Sequence, residues 1–496
     1  MTTTSARTAP TTRAWITAVF AAFTMSGLAI ATWLGRIPSV RDSLGATTFE
    51  MGLLVLGMAV GSIGGLTFAG HIVAKVGARR GVQVASVCLA VGIVFAGFAL
   101  TFGWGFAAIW TSLVAFGFGN GLVDVSMNVS GAAAEKAGGR TIMPLFHAAF
   151  SVGTLAGAGI GALTEALDVP VVLHFAVLGV VTCLVMLAAA ARFGDEHRYD
   201  EHTSTETSPT PVQLTRWQVW AQPSTLLIGI IVLGMALAEG SANDWLPLAM
   251  IDGHGLDNAA GSAVLTVFLA AMTAGRIAGS PLIDRFGRVP VLRVSAAVAV
   301  VGLGLLIFVD VIPIAVLGVV LWGLGASLGF PMGMSAAADD PRSAALKVSA
   351  VATIGYVAFL AGPPLIGFLG EHVGLLGALL VVFVFIIGAG LASGAARETG
   401  AAAEALRRRR AGGGDHGGTR SAARDHGTGG AHGAGHDQHA RGAAPDHQAD
   451  ATQHGGGDPR LQADHPDHTD HTAHSDHPTD DTMADPASSG GTRTDR

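Results

Sequence analysis

The chain has 496 residues, of which 50% are apolar and only 13% are charged, and its formal net charge is −7. A soluble protein of this length needs more charge to cover its surface, so the composition argues against that class and predicts an integral membrane protein. The modest negative charge gives no reason to expect a nucleic-acid partner.

Twelve segments are long and apolar enough to cross a bilayer as helices, since one span takes about twenty apolar residues. These spans 1 to 12 lie near residues 14–35, 50–73, 82–101, 104–130, 143–165, 170–191, 224–250, 261–283, 290–310, 312–336, 345–369 and 373–395. The predicted fold is therefore all-α, with an N-terminal six-helix half at 14–191 and a C-terminal six-helix half at 224–395. A polar segment at 192–223 is the predicted cytoplasmic linker between the halves.

The two halves resemble each other in sequence. The segment from Gly117 to Glu165 matches the segment from Gly323 to Glu371 at a constant offset of 206 residues (323 − 117 and 371 − 165). Two similar halves of apolar helices indicate a secondary transporter whose site lies between them, near the middle of the membrane.

Basic residues are concentrated in the even-numbered connections between spans. These connections carry Lys75, Arg79, Arg80, Lys136, Arg140, Arg285 and Arg288, whereas the odd-numbered ones carry Arg36, Arg41 and acids such as Glu165, Asp252 and Asp310. By the positive-inside rule, both termini are predicted to be cytoplasmic.

Polar side chains inside the spans are the candidates for function, because an ionisable group costs a few kcal/mol in a membrane helix. The set is Asn120, Asp124 and Asn128 in span 4, His147 and Ser151 in span 5, Glu239, Asn243 and Asp244 in span 7, Arg276 in span 8, and Tyr356 in span 11. Seven of them are expected to bind the substrate or the coupling ion: Asn120, Asp124, Asn128, His147, Glu239, Asn243 and Tyr356.

Asp124 is the first candidate for the coupling proton site. The repeat places Phe330 at the matching position of the other half, so the carboxyl group is particular to the N-terminal half. Desolvation favours the neutral form of a buried carboxyl group, which suits proton uptake and release. In the alternative interpretation Asp124 only accepts hydrogen bonds from Asn128 or His147 and holds spans 4 and 5 together.

Charged residues of span 7 suggest a gate. Glu239 shares a helix face with Asn243 and is a second candidate for binding a substrate group or a proton. Arg36, at the outer end of span 1, is predicted to pair with Asp244 or Glu239, although a static pair or an Arg36 that reaches interfacial water is an equal alternative. Arg276 is expected to extend to the inner membrane surface.

Two loops resemble the signature of the major facilitator superfamily, which reads Gly, three residues, Asp-Arg, one residue and Gly-Arg. Residues 280–288 match it well through Asp284, Arg285 and Arg288, and the resemblance implies that these three form part of an inner gate. Residues 70–80 match less well, since Ala74 stands where the acid belongs.

Further motifs are similar to the MosC/YbjJ-like branch of that superfamily, which is related to fucose permease. They are Gly119-Asn120-Gly121 with Asp124, Met127-Asn128, Phe146-His147, Glu239-Gly240, Asp244-Trp245 and Gly355-Tyr356. The resemblance implies a secondary carrier of a sugar-, polyol- or inositol-like solute. We expect it to be a monomer in a bacterial inner membrane, coupled to protons and without a cofactor. We find no nucleophile–base pair or phosphate loop that would indicate an enzyme.

The segment 396–496 is rich in Gly, Asp and His and is predicted to be a disordered cytoplasmic tail. Its repeated Asp-His pairs, including His465, His468 and His471, would bind metal ions weakly. A drug or divalent-metal efflux carrier that uses the tail as a metal buffer is therefore the alternative function. A membrane scaffold or sensor that transports nothing is a third, supported only by the missing acid at position 74.

Overall fold

The computed structural model describes residues 11–196, 215–340 and 343–398, and helices account for nearly all of this part of the chain. The helices are α1 (Thr12–Leu34), α2 (Ile37–Leu44), α3 (Thr48–Thr101), α4 (Phe106–Gly138), α5 (Met143–Ala166), α6 (Val171–Ala190), α7 (Arg216–Trp220), α8 (Pro223–His254), α9 (Asn258–Phe286), α10 (Arg288–Phe308), α11 (Ile312–Ala326), α12 (Gly329–Ala337), α13 (Ala344–Val373) and α14 (Leu375–Ala392). We call α1–α6 the N-terminal half and α8–α14 the C-terminal half.

Eleven helical segments in the described residues are long and apolar enough to cross a membrane. One of them, α3, contains both predicted spans 2 and 3. Its backbone leaves the helical conformation at Gly77 (φ 81°, ψ 159°), so the two spans follow each other without a loop between them. The all-α prediction is confirmed, and dividing α3 at Gly77 gives twelve spans.

The two loops that resemble the superfamily signature, 70–80 and 280–288, each contain a glycine near their end, Gly77 and Gly287, and its backbone conformation explains its place. Gly77 and Gly287 both have a positive φ, 81° and 82°, and each stands where one span ends and the next begins. A side chain is strained in this conformation, so glycine permits the sharp turn.

Two boundaries differ from the predicted ones. Span 10 is divided into α11 and α12 around Ser327 and Leu328, and span 1 is followed by the separate short helix α2. The predicted linker contains the helix α7, whose start is set by Thr215, which caps the first turn together with Gln218.

The helices of the N-terminal half approach each other closely at glycine. A Cβ atom on Gly117 of α4 would lie 2.0 Å from the carbonyl oxygen of Met58 in α3, and one on Gly121 would lie 2.1 Å from that of Ser62. Small residues allow this separation, which maximises van der Waals contact where no hydrophobic effect drives helices together.

The most extensive contacts between the halves are those of α5 with α9 and of α3 with α13, and α2 also contacts α8 and α9. At the contact of α3 with α13, a Cβ atom on Gly52 would lie 2.8 Å from the carbonyl oxygen of Pro363. The ends of the bundle have different charges. We call the end with Lys75, Lys136 and Arg288 the basic end. We call the opposite end, where Asp252, Glu371 and the short helix α2 lie, the acidic end.

Candidate functional site

A salt bridge between α8 and α9 lies at the centre of the interface between the halves. Nη2 of Arg276 is 2.8 Å from Oε1 of Glu239, and the two side chains are 31% and 21% exposed. Nη1 of Arg276 also reaches the hydroxyl oxygen of Ser151 in α5, at 3.4 Å, and thereby crosses to the N-terminal half. The expectation that Arg276 extends to the membrane surface is wrong, because the guanidinium finds an internal carboxylate.

A second polar group on the N-terminal half faces the same interface. Asn128 donates to the carbonyl oxygen of Asp124 at 2.8 Å and to its carboxylate at 3.3 Å. The Asp124 carboxylate is also close enough to interact electrostatically with Tyr356 of α13, on the other half. Asn128 is in the same helix as Asp124, so this hydrogen bond does not join spans 4 and 5, as the alternative interpretation required.

His147 completes the polar lining on α5. Its ring packs edge-on against Phe23 of α1, with the ring centroids 5.2 Å apart, and it lies within electrostatic range of Arg276. His147 and Asp124 are exposed although both lie between the halves. Both also lie in the parts of their helices nearer the basic end. The interface is therefore an open cleft towards that end.

The remaining predicted residues of this region are partly buried. Asn120 lies one turn before Asp124 on α4, and Asn243 lies one turn after Glu239 on α8. The side-chain oxygen of Asn243 is buried and has no hydrogen-bond donor among the described residues. Asp244 is 9% exposed and borders a small cavity between α8 and α13.

At the acidic end, polar contacts join the halves directly. Arg41 of α2 binds both carboxylate oxygens of Asp252 at 2.8 and 2.7 Å, and Asn258 donates to Asp42 at 2.7 Å. The carboxylate of Glu371 in α13 accepts hydrogen bonds from the first backbone N–H groups of α3, at 3.0 Å from Thr48 and 3.4 Å from Phe49. A carboxylate is favourable there because the positive end of the helix dipole meets it.

Sequence reasoning missed these contacts and predicted a different one. Arg36 does not pair with Asp244 or Glu239 in this structure. It lies 3.4 Å from Glu165 and donates to the carbonyl oxygen of Val169 at 2.7 Å, both in its own half. The opposite charges of Arg41 and Asp252, on odd-numbered connections of different halves, were the available signal for the true contact.

At the basic end, the residues of the loop signature bind within the C-terminal half. Arg288 forms two hydrogen bonds to Asp339, at 2.8 and 2.7 Å, and its backbone N–H donates to Glu398 at 2.5 Å. The guanidinium of Arg285 lies over the ring of Phe286, and Asp284 precedes it in the last turn of α9. Their role in an inner gate stays a prediction.

The N-terminal half repeats one of these contacts. Glu196, which follows α6 and is 6% exposed, accepts a hydrogen bond of 2.6 Å from the backbone N–H of Ala78. Ala78 directly follows Gly77, as Arg288 follows Gly287. In each half, a glutamate after the last span therefore caps the helix that begins after the turn glycine.

Within residues 11–196, 215–340 and 343–398, no group of three or more His, Cys, Asp or Glu side chains is arranged to hold a metal ion. The weak tail candidates His465, His468 and His471 lie outside the described residues.

A multi-pass bundle in two halves with a polar cleft between them defines the class of membrane transporters. The sequence model of the Major Facilitator Superfamily matches residues 14–341 and 245–413, and the chain belongs to this family. It is thus a secondary transporter of the membrane and not an enzyme, as the sequence predicted.

Relatives and solved structures agree with this assignment. The chain is 30% identical to an uncharacterised MFS-type transporter of Yersinia pestis over 352 residues, covering 71% of this chain and 87% of the relative. It is also 30% identical to the membrane protein MosC of Rhizobium meliloti over 393 residues, covering 77% and 89%. The predicted similarity to MosC is confirmed.

The fold is shared with transporters of low sequence identity. A mutant of the nucleoside transporter NupG superposes with a TM-score of 0.63 at 12% identity, covering 77% of this chain and 99% of that one. The E. coli fucose:proton symporter FucP superposes with a TM-score of 0.53 at 14% identity, covering 77% and 98%.

Proposed function

We propose that this chain carries a small polar organic solute, of the sugar, polyol or inositol-derivative class, across a bacterial inner membrane by alternating access coupled to protons. In this proposal both termini are cytoplasmic, as the loop charges predict. The basic end of the bundle then faces the cytoplasm and the acidic end faces the outside.

One observation carries the proposal. Polar groups from both halves line a single cleft in the membrane: Nη1 of Arg276 lies 3.4 Å from the hydroxyl oxygen of Ser151, and Asp124 is within electrostatic range of Tyr356. Such groups are costly in a membrane unless they bind each other or a polar ligand. A solute that contacts both halves has different interactions in the inward-facing and outward-facing states, because the halves move relative to each other. This difference in binding free energy is what allows binding to drive a conformational change.

The state of the cleft agrees with an inward-facing carrier. The acidic end is joined by Arg41 with Asp252 and by Glu371 with the first turn of α3, while Asp124 and His147 are exposed near the basic end. With the proposed orientation, a solute would reach the site from the cytoplasm in this state.

The mixture of donors and acceptors favours a solute rich in hydroxyl groups. Arg276 is donor only, the carboxylates of Glu239 and Asp124 are acceptor only when ionised, and Asn128 and Tyr356 can do both. Each sugar hydroxyl both donates and accepts, so it can bridge such pairs. The fold neighbours named above include a fucose:proton symporter and a nucleoside transporter, and fucose and nucleosides both carry several hydroxyl groups.

The test is transport by the purified, full-length chain in liposomes with an imposed proton gradient. A thermal-shift screen of sugars, polyols, inositol derivatives, amines and metal ions first selects compounds that stabilise the protein, and radiolabelled forms of these are then assayed for uptake. We expect a hydroxyl-rich solute to be accumulated, and Arg276→Gln to lower its uptake at least tenfold, because the variant leaves Glu239 unpaired.

Arg192→Gln is the matched control, since among the described residues the side chain of Arg192, just after α6 at the basic end, bonds only to the carbonyl oxygen of Ala188. It should transport like the unmodified chain. If only amines or metal ions stabilised the protein and were transported, the proposed substrate class would be wrong.

A further inference from the structure

Asp244 is a buried carboxylate for which the described residues provide no partner. Its side chain is only 9% exposed, and none of the described residues forms a hydrogen bond or an ion pair with it. An ionised carboxylate in such a place is too costly to remain uncompensated. Something outside the protein must balance its charge whenever it is ionised.

The carboxylate borders a cavity of the size of one small ion. The cavity has a volume of about 10 Å³, roughly the space of one water-sized sphere, and lies between α8 and α13. Its walls are Leu237, Gly240, Ser241 and Asp244 of α8, and Ala358, Phe359, Gly362 and Pro363 of α13. Ser241, 4% exposed, also has no partner for its hydroxyl among the described residues.

The wall formed by α13 carries backbone oxygens without their usual donors. Phe359 is one of the residues that line the cavity. Because Pro363 has no N–H, the carbonyl of Phe359 loses its usual donor four residues later in the helix. The carbonyl of Leu360 would accept a hydrogen bond from residue 363 or residue 364, and both are prolines without an N–H. The cavity therefore has one carboxylate and one hydroxyl on its α8 wall, and its α13 wall contains a turn in which the prolines leave two carbonyl oxygens without their usual donors.

An oxygen-rich site with a single negative charge selects a hard monovalent cation. Oxygen ligands suit hard cations, and backbone carbonyls in interrupted membrane helices coordinate such ions in transporters. A divalent ion would leave one uncompensated positive charge in a buried site, whereas Na⁺ gives a neutral one. A bare proton would neutralise Asp244 but would leave the cavity and the spare carbonyl oxygens unused.

We propose that this cavity is a sodium-binding site formed by Asp244, Ser241 and the carbonyl oxygens beside Pro363. The site is separate from the cleft of Asp124 and Arg276, and it goes beyond the proposed transport function. Pro363 also packs against Gly52 of α3, so a bound ion lies one helix away from the contact between the halves. Sodium bound there stabilises the packing of α13 that keeps the acidic end closed.

The test is sodium binding by the purified, full-length chain in detergent, which requires neither a substrate nor transport. At constant ionic strength and pH, NaCl in place of choline chloride should raise the thermal unfolding midpoint by at least about 2 °C. Radioactive Na⁺ should bind with a stoichiometry of one ion per chain. KCl should have a smaller effect, because K⁺ is larger than the cavity allows.

Asp244→Asn should abolish both effects, and Ser241→Ala should weaken binding at least threefold while keeping the charge. Asp168→Asn, in the N-terminal half and outside the cavity, should bind Na⁺ normally. The proposal is overturned if sodium does not stabilise the unmodified chain, or if Asp244→Asn keeps the full sodium effect. It is equally overturned if acidification, and not Na⁺, produces a stabilisation that depends on Asp244, because the occupant is then a proton.

Discussion

Arg41 and Asp252 join the two halves of the transporter at the acidic end, with Nη1 of Arg41 within 2.8 Å of both carboxylate oxygens. The side chains are 15% and 38% exposed, so the pair contributes about 0.2–1 kcal/mol. That energy changes the ratio of closed to open forms by about fivefold at most.

Asp252→Asn should therefore shift the population towards a form that is open at the acidic end. Spin labels on Ser43→Cys and His372→Cys, in a chain whose Cys88 and Cys183 have been replaced by serine, would report the separation of the halves there. We expect the fraction of long distances to increase by up to fivefold.

Two variants control this measurement. Exchanging the charges, with Arg41→Asp and Asp252→Arg in one chain, should restore the short distance. Asp168→Asn, at the same end but without a contact between the halves, should have no effect. An Asp252→Asn variant with unchanged distances would show that this pair does not keep the end closed.

Replacing Asp124, the proposed proton site, should abolish accumulation of solute against its gradient but not exchange of solute across the membrane. Asp124→Asn cannot release a proton, so we expect it to lose gradient-driven accumulation of solute by at least tenfold while keeping solute exchange across the membrane. Asn128→Ala removes the hydrogen bond to Asp124 but keeps the carboxyl group, so it should still accumulate solute against its gradient, although with a higher KM because a solute-binding amide is lost. Accumulation by Asp124→Asn at the unmodified rate would place proton coupling at another residue.

The hydrogen bond from the backbone N–H of Ala78 to Glu196 should contribute measurably to the free energy of unfolding. Glu196→Ala leaves the buried N–H of Ala78 without an acceptor, which costs about 1–3 kcal/mol. Glu196→Gln keeps a carbonyl oxygen that can accept the same bond and should cost less than half as much. Thermal unfolding of the full chain in detergent compares the two, and equal losses would mean that the cap does not stabilise this turn.

Because α3 and α4 pack closely at Gly117, adding one methyl group there should lower the stability of the protein considerably. Gly117→Ala would place a Cβ atom 2.0 Å from the carbonyl oxygen of Met58, so the helices must separate, at a cost of about 1–3 kcal/mol or more. Gly70→Ala, also in this helix pair, meets no atom within 4 Å and should be neutral. Similar unfolding midpoints for both variants would contradict the packing described here.

The sequence by itself was sufficient for the architecture and the family. Hydrophobic length and loop charge are local properties, so the spans, the turn glycines Gly77 and Gly287 and the similarity to MosC were all readable without coordinates. The polar residues of the cleft were found in the same way, because a charge in an apolar helix stands out regardless of its partner.

Only the tertiary structure decided which charged groups meet. Arg276 binds Glu239, Arg36 binds Glu165 and Arg41 binds Asp252, where the sequence had suggested a snorkelling arginine and a pair between Arg36 and span 7. Such choices depend on how each helix is rotated and how closely its neighbours approach, at sequence separations of up to 211 residues. The cavity beside Asp244 likewise exists only because α8 and α13 pack together, which no local pattern specifies.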